Sequence, residues 1–435
     1  MPPPVPSTDA GPSRPLTNFA WLVGGRLFRG AVGMLIGVWM ARHLGPADYG
    51  VLNSALALAL LGMAVVGLGL DSVVRQELLR EPAQAPGILG TCLGLRLAAG
   101  LLAYGFLAVA LFLRDPATRI TWLVAAAMLV THVPLTIDLW FQARLKMEYT
   151  TLAQNAAFVF SALLRAALIL GGAPLPWFAA AIVLEGPLSA LLLLRWWRKL
   201  ASTEARLVWQ GARARRWLSA CWPLLGVNLL AVGFTQVNQA LLVWLADPRE
   251  AGHFAAAGRI FELGSFVLTA LVTTQVPQIA VARAGTPAQQ EATMRAVLSR
   301  VALVAWAVGG AALAGAPWIV RGLFGGDYAG SENTLRLLGA CLLPLGSGLV
   351  RYEWWVGAGR MQRLLTAYSL GGLLNLLLAA WWIRDFGSAG AAAATLVALS
   401  TTHLLSSLAW RDSAAFARWQ GGALLLRGLT LPRRR

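Results

Sequence analysis

Stretches of about twenty apolar residues recur along the whole chain, and they limit its fold more than any other feature. A bilayer core of roughly 30 Å is crossed by about 20 helical residues. Lipid offers no water to backbone N–H and C=O groups, so each run must satisfy its own backbone as a helix. The runs fall at 17–41, 50–70, 88–112, 120–141, 151–171, 176–195, 218–245, 253–280, 296–320, 334–357, 364–383 and 389–409. They predict an all-α integral membrane protein of about twelve transmembrane helices. Composition agrees, because only 13% of residues are charged, about half the roughly 25% of soluble domains.

The net charge of +17 would suit a nucleic-acid partner, but its distribution points elsewhere. With the N-terminus inside, inner loops carry Arg75 and Arg80, Arg144 and Lys146, Arg360 and Arg363. The polar link at the midpoint adds Arg195, Arg198, Lys199, Arg206, Arg213, Arg215 and Arg216. Outer loops carry scattered arginines such as Arg42, Arg249, Arg321 and Arg384. This asymmetry predicts a multi-pass protein of the cell (inner) membrane with both termini cytoplasmic, and no nucleic-acid partner. Trp140, Trp196, Trp197, Trp217, Trp354, Trp355, Trp410 and Trp419 near inner ends read as interface anchors. So do Trp177, Trp244, Trp381 and Trp382 near outer ends.

The expected organisation is a disordered cytoplasmic tail (1–16), an N-lobe of six helices (17–195), a basic linker (196–217), a C-lobe of six helices (218–410) and a basic tail (411–435). Two fragments support a repeat. Pro46-Ala-Asp48-Tyr-Gly50 follows the first run and Pro248-Arg-Glu250-Ala-Gly252 follows the seventh. Trp140-Phe-Gln-Ala143 with Lys146-Met147 matches Trp355-Val-Gly-Ala358 with Arg360-Met361. Matching ends fall on the same membrane side, so the repeat is parallel, with a cleft expected between lobes.

Eight arginines lie inside the runs: Arg26, Arg29, Arg96, Arg165, Arg259, Arg300, Arg336 and Arg351. Each would cost about 2.5–3.5 kcal/mol at a helix centre, so they are expected to face the bundle interior or a wet cavity. Arg96, Arg300, Arg336 and Arg351 stand nearer helix ends and read either as snorkelling or as lining. Arg26 and Arg29 share one face of the first helix, and Arg165 lies near the middle of the fifth. No acid stands one turn away on either helix, which predicts an anionic partner, and a phosphate suits the guanidinium fork. Asp71 with Arg75, and Arg259 with Glu262, read as ion pairs or as coupling groups. Glu185 reads as a proton carrier, a cap or the partner of a loop arginine. Asn228, Thr235, Gln236, Asn238 and Gln239 form a polar stripe that reads as helix glue or as lumen lining. Cys92, Cys221 and Cys341 are isolated, so neither metal nor cofactor is expected. There is no Walker A loop and no GxSxG, and the loops are too short for a catalytic domain.

Several fragments resemble the Wzx-type polysaccharide flippases, in the larger MOP group with the MATE exporters and the MurJ lipid II flippase. Ala41-Arg42-His-Leu44-Gly45-Pro46-Ala-Asp48-Tyr49-Gly50 looks like that family's segment after the first helix. Gly67-Leu-Gly69-Leu70-Asp71 with Arg75, Phe324-Gly325-Gly326-Asp327-Tyr328, Leu374-Asn375 and Gly387-Ser-Ala-Gly390-Ala391-Ala392 look like further family segments, in order. The resemblance covers about 17–410 and implies a MATE-like fold of two lobes. It implies translocation of a polyprenyl-pyrophosphate-linked oligosaccharide for surface polysaccharide such as O-antigen. The partners implied are that lipid-linked glycan, membrane lipids and polysaccharide polymerase or ligase machinery. One position departs: where many relatives read KIDQ, this chain reads Gln236-Val-Asn238-Gln239, and Asn238 cannot ionise.

The anionic head group is thus expected on Arg26, Arg29, Arg165, Arg96, Arg259, Arg300 and Arg351. Gln236, Asn238 and Gln239 are expected to line the lumen, and Asp71, Glu185 and Glu262 are candidates for ion or proton coupling. The alternative reading is a cation-coupled drug or metabolite exporter of the same fold, which would favour acids in its cleft. A membrane polymerase or glycosyltransferase would need larger outer loops.

Overall fold

The computed structural model describes residues 14–112, 116–201, 207–409 and 413–424. Residues 1–13, 202–206 and 425–435 of the expected tails and linker lie outside the described residues, whereas Ala414–Leu424 of the expected basic tail forms α15, which packs on the core of the second unit. Every described element is helical. The helices are α1 (Arg14–Val66), α2 (Asp71–Arg80), α3 (Ala85–Phe112), α4 (Pro116–Ala126), α5 (Met128–Thr131), α6 (Asp138–Ala143), α7 (Met147–Leu170), α8 (Leu175–Val183) and α9 (Glu185–Leu200). They continue with α10 (Gly211–Leu245), α11 (Pro248–Ala284), α12 (Pro287–Phe324), α13 (Ser331–Gly357), α14 (Met361–His403) and α15 (Ala414–Leu424).

Among the described residues, 9 helical stretches are long and apolar enough to cross a membrane. Each of the expected runs falls on described helical residues, although the sixth is divided between α8 and α9. Two of the stretches, Arg29–Val66 and Met361–Leu408, carry two expected runs apiece. The reason is local. α1 is broken at Gly45 (φ 72°, ψ 170°), directly before Pro46, and α14 is broken at Gly387 (φ 54°, ψ −130°). Both glycines have positive φ, where a side chain would be strained, and Pro46 has no N–H to continue the ladder. The fourth expected run is not one helix but α4, α5, a 3-10 turn at Val133–Ile137 and α6. Pro134 lies in that turn, where its missing N–H interrupts the α ladder. The short α2 is amphipathic and buries Val74 and Leu78.

By internal contacts the chain divides into two compact units, one of residues up to 37 with 62–226, the other of 38–61 with 227 onward. Residues 38–61 thus group with the C-terminal half, whereas the lobes read from the sequence kept 17–195 together.

In the first unit, Leu70, Ile88, Leu89, Trp140, Phe141, Leu193, Trp197 and Trp217 form one core. Trp140, Trp197 and Trp217 are no more than 2% exposed, so they pack inside rather than anchor at the interface. Trp355 is likewise buried, whereas Trp177 and Trp381 are exposed as anchors should be.

In the second unit, α11, α12 and α13 enclose a core to which α15 contributes Phe416, Trp419 and Ala423. Gln420 Nε2 on α15 donates to Ser347 Oγ at 2.8 Å and to the His403 carbonyl at 2.9 Å. The two copies of the Pro-x-acid-x-Gly fragment meet in this unit. A Cβ on Gly50 would collide with the Pro248 carbonyl and Gly252 N, and one on Gly252 with the Pro46 carbonyl. The contact is reciprocal, as a local two-fold would make it, and only glycine lets two backbones approach so closely.

Other contacts hold this corner. Arg42 Nε donates to the Leu323 carbonyl at 2.6 Å and caps the end of α12. Glu250 accepts from Ser388 N and Oγ, each at 2.7 Å, at the start of the second arm of α14. The Tyr328 hydroxyl donates to the Ala41 carbonyl at 2.8 Å. Burial, with Tyr49 and Asp327 nearby, pushes this phenol well above its ordinary pKa and keeps it a donor.

Candidate functional site

Polar side chains gather inside the apolar helices of each unit. In the first unit α1, α7 and α9 bring together Arg29, Arg165 and Glu185. Arg29 Nη2 is ion-paired with Glu185 Oε1, and Arg29 Nη1 donates to Gln154 Oε1 at 3.4 Å. Its guanidinium lies 5.2 Å from the Phe158 ring centroid, and that of Arg165 lies 5.8 Å from the same ring. Arg165 Nε also donates to the Ser161 carbonyl at 3.1 Å. Two guanidiniums therefore share one aromatic ring, and one of them holds a carboxylate.

Glu185 was expected to carry a proton, to cap or to meet a loop arginine; the structure pairs it with Arg29, within another helix. The acid was missed as a partner for Arg29 because sequence spacing reveals neighbours on one helix only. Phe158, which seats both guanidiniums, carried no signal in an apolar run. The Arg26 side chain lies outside the described residues.

In the second unit a cavity of ≈ 730 Å³ opens among α1, α10, α11, α13 and α14. Asn53, Gln236, Gln239, Ser265 and Thr269 supply amides and hydroxyls, and Phe254, Phe261, Phe266 and Tyr368 supply rings. Arg259 and Glu262 supply the charges. Arg259 Nε donates to Tyr49 Oη at 3.4 Å, and its Nη1 lies 3.4 Å from Glu262 Oε2. Both contacts are longer than usual hydrogen bonds, so a better acceptor can replace them. This i,i+3 pair is the one read from the sequence.

Asn238 also borders the cavity but is 2% exposed. Its Nδ2 donates to Thr395 Oγ1 at 2.7 Å and to Asn375 Oδ1 and the Ala391 carbonyl at 3.2 Å. Gln239 Nε2 donates to Ser54 Oγ and the Ala251 carbonyl, both at 3.1 Å. These two amides knit α10 to its neighbours, while Gln236 faces the cavity more openly. Tyr368, His403 and Asn53 were not singled out in the sequence. A lone Tyr or His in an apolar helix was the available signal.

The other candidates are held elsewhere. Arg96 Nη2 pairs with Asp71 Oδ1 at 2.7 Å, and Arg96 Nη1 donates to Thr136 Oγ1 at 3.0 Å. Arg75, the partner expected for Asp71, donates instead to Gln142 Oε1 at 3.0 Å. Arg351 is fully buried, donating to the Thr402 carbonyl and Ser406 Oγ with its guanidinium 4.5 Å from the Trp355 ring centroid. It buttresses the end of α14 and does not snorkel. Arg300 is exposed on α12, where Nη1 donates to Gln275 Oε1 at 3.2 Å.

A family model described as polysaccharide biosynthesis protein matches residues 16–282. No curated protein matches the chain in sequence. Among solved structures, the lipid II flippase MurJ in an inward closed conformation aligns with a TM-score of 0.68 at 14% identity, covering 94% of this chain and 91% of that one. An inward-facing multidrug resistance MATE transporter of the MOP superfamily aligns at 0.62 and 14% identity, covering 92% and 96%. A MOP superfamily transporter from Pyrococcus furiosus aligns at 0.58 and 14% identity, covering 94% and 95%. At such identity the likeness is one of fold, and the fold is that of the MOP transporters.

Proposed function

Because the chain belongs to the polysaccharide biosynthesis protein family, we propose that it is a flippase for a polyprenyl-pyrophosphate-linked oligosaccharide. It moves this cargo from the inner to the outer leaflet of the cytoplasmic membrane by alternating access, for a surface polysaccharide such as O-antigen. The lining of the second-unit cavity carries this reading. Amides and hydroxyls at Asn53, Gln236, Ser265 and Thr269 match the hydroxyls of a glycan. The rings of Phe254, Phe261, Phe266 and Tyr368 match the apolar faces of sugar rings. Arg259, loosely held, offers its fork to an acidic group of the glycan. A volume of ≈ 730 Å³ is in the range of small-ligand sites, roughly 300–1,000 Å³. The basic inner loops support cytoplasmic termini. Membrane lipids and a polysaccharide polymerase or ligase are the partners that this reading assigns.

Deletion of the gene tests it. Lipid-linked glycan should accumulate on the cytoplasmic leaflet, and an Arg259→Ala protein present at wild-type level should not restore export. Normal surface glycan in a deletion strain without a paralogue would overturn the reading. A change in resistance to cationic drugs, with export intact, would favour the exporter alternative.

A further inference from the structure

In the first-unit cluster an acid held directly on an arginine occupies the place an anionic ligand would take. Arg29 donates to Glu185, and Arg165 stands over the same Phe158 ring as Arg29. The Arg29 and Glu185 side chains are 33% and 21% exposed, so the pair is reachable rather than sealed. With Glu185 ionised, the three groups carry one net positive charge. With Glu185 protonated, they carry two.

We infer that Glu185 is a resident competitor for the anionic group of the cargo, and that cargo binding at Arg29 and Arg165 is coupled to proton uptake by Glu185. This rests on the proposed cargo only in naming the anion as a pyrophosphate. A phosphate oxygen replaces Glu185 Oε1 on Arg29, whose planar fork fits phosphate as well as carboxylate. The freed carboxylate then sits within an apolar helix beside a polyanion, where its charged form is doubly disfavoured by desolvation and by like charge. One proton moves from water to a Glu185 oxygen, and no bond of the cargo changes. The two guanidiniums then balance the two charges of a pyrophosphate diester. Release reverses the exchange. Glu185, returning to Arg29, drives the anion off and gives up its proton.

α1 presents Arg29 and α7 presents Arg165. The His132 ring packs against Gly186, the next residue along α9. His132 is therefore the competing proton carrier, and the test separates it from Glu185.

The full chain in lipid nanodiscs is titrated with undecaprenyl-pyrophosphoryl-N-acetylglucosamine, whose diester phosphates do not titrate over roughly pH 5–8. Coupling to one proton makes the apparent affinity about tenfold tighter per pH unit lowered, wherever Glu185 is ionised in the free protein. Glu185→Gln should bind more tightly at neutral pH and lose this slope, while His132→Gln should keep it. On wild-type protein, an infrared band of a protonated carboxylic acid should appear on binding, which needs no variant to fold. A slope unchanged in Glu185→Gln, or lost in His132→Gln, would overturn the inference, as would binding without the infrared band. Inorganic pyrophosphate is the second probe. If it binds with proton uptake while the lipid-linked probe is neither bound nor flipped, the exchange stands and the proposed cargo falls. If neither probe binds, the exchange falls.

Discussion

Gly252→Ala is the sharpest test of the way the two repeat fragments meet. At an open helical position, alanine stabilises relative to glycine by about 0.5–1 kcal/mol, because the unfolded glycine has more freedom to lose. Gly252 is not open. Its added Cβ would run into the Pro46 carbonyl, and the matching atom on Gly50 into the Pro248 carbonyl and Gly252 N. These obstacles are backbone, so no rotamer change relieves them. Overpacking typically costs about 1–3 kcal/mol, and rigid neighbours place this site at the upper end. Offset against the propensity gain, Gly252→Ala should lose about 2 kcal/mol. Gly310→Ala on α12, where a Cβ meets nothing within 4 Å, is the control and should be neutral or stabilising. Gly50→Ala should cost as much as Gly252→Ala, yet the double variant should cost about 1–2 kcal/mol less than the sum, because the helices separate once. The assay is thermal inactivation of the purified full chain in detergent at a fixed scan rate, since unfolding of such proteins is commonly irreversible. A shift of about 2–4 °C per kcal/mol holds for domains of 150–250 residues, and it is smaller in longer chains. Wild-type stability of Gly252→Ala, or strict additivity with Gly50→Ala, would refute the close crossing.

Asp71→Asn should destabilise by about 1–2 kcal/mol, between the exposed and buried limits for ion pairs, because Asp71 is 52% exposed while Arg96 is 11%; denaturation of the same preparation reads it, and no loss would sink the pairing. Glu250→Ala should cost about 1.5–3 kcal/mol by removing charged acceptors from Ser388, with faster proteolysis near the α14 break; unchanged cleavage there would count against the cap. The orientation is read by labelling. Leu207→Cys should react with an impermeant maleimide only after the membrane is opened, and Ala329→Cys should react in intact cells. The native Cys92, Cys221 and Cys341 are no more than 1% exposed and should stay silent. The reverse pattern would invert the assigned topology.

Much of the fold was legible in the sequence for one physical reason. A run that must cross lipid has to close its own hydrogen bonds, so helix number follows from apolar length alone. The breaks at Gly45 and Gly387 were equally accessible, each lying between two such runs. The 3-10 turn around Pro134 was not foreseen. The tryptophans mark the limit of the approach. Trp140, Trp197 and Trp217 stand at the right depth for anchors, yet they are buried, because depth along a helix says nothing of which way the residue faces.

The site divides along the same line. The presence of Arg29, Arg165, Arg259 and Glu185 within apolar helices follows from the sequence alone, and so does the expectation that such groups are used rather than incidental. The pairing of these charges does not. Arg259 with Glu262 is an i,i+3 neighbour and was readable. Arg29 with Glu185, and Arg96 with Asp71, join residues far apart in the chain. Membrane-spanning helices with charged interiors could be read directly from the order of residues, because the bilayer imposes them on each segment separately. Which guanidinium meets a carboxylate and which keeps a loose grip beside a cavity was decided only by packing, where helices distant in sequence come into contact.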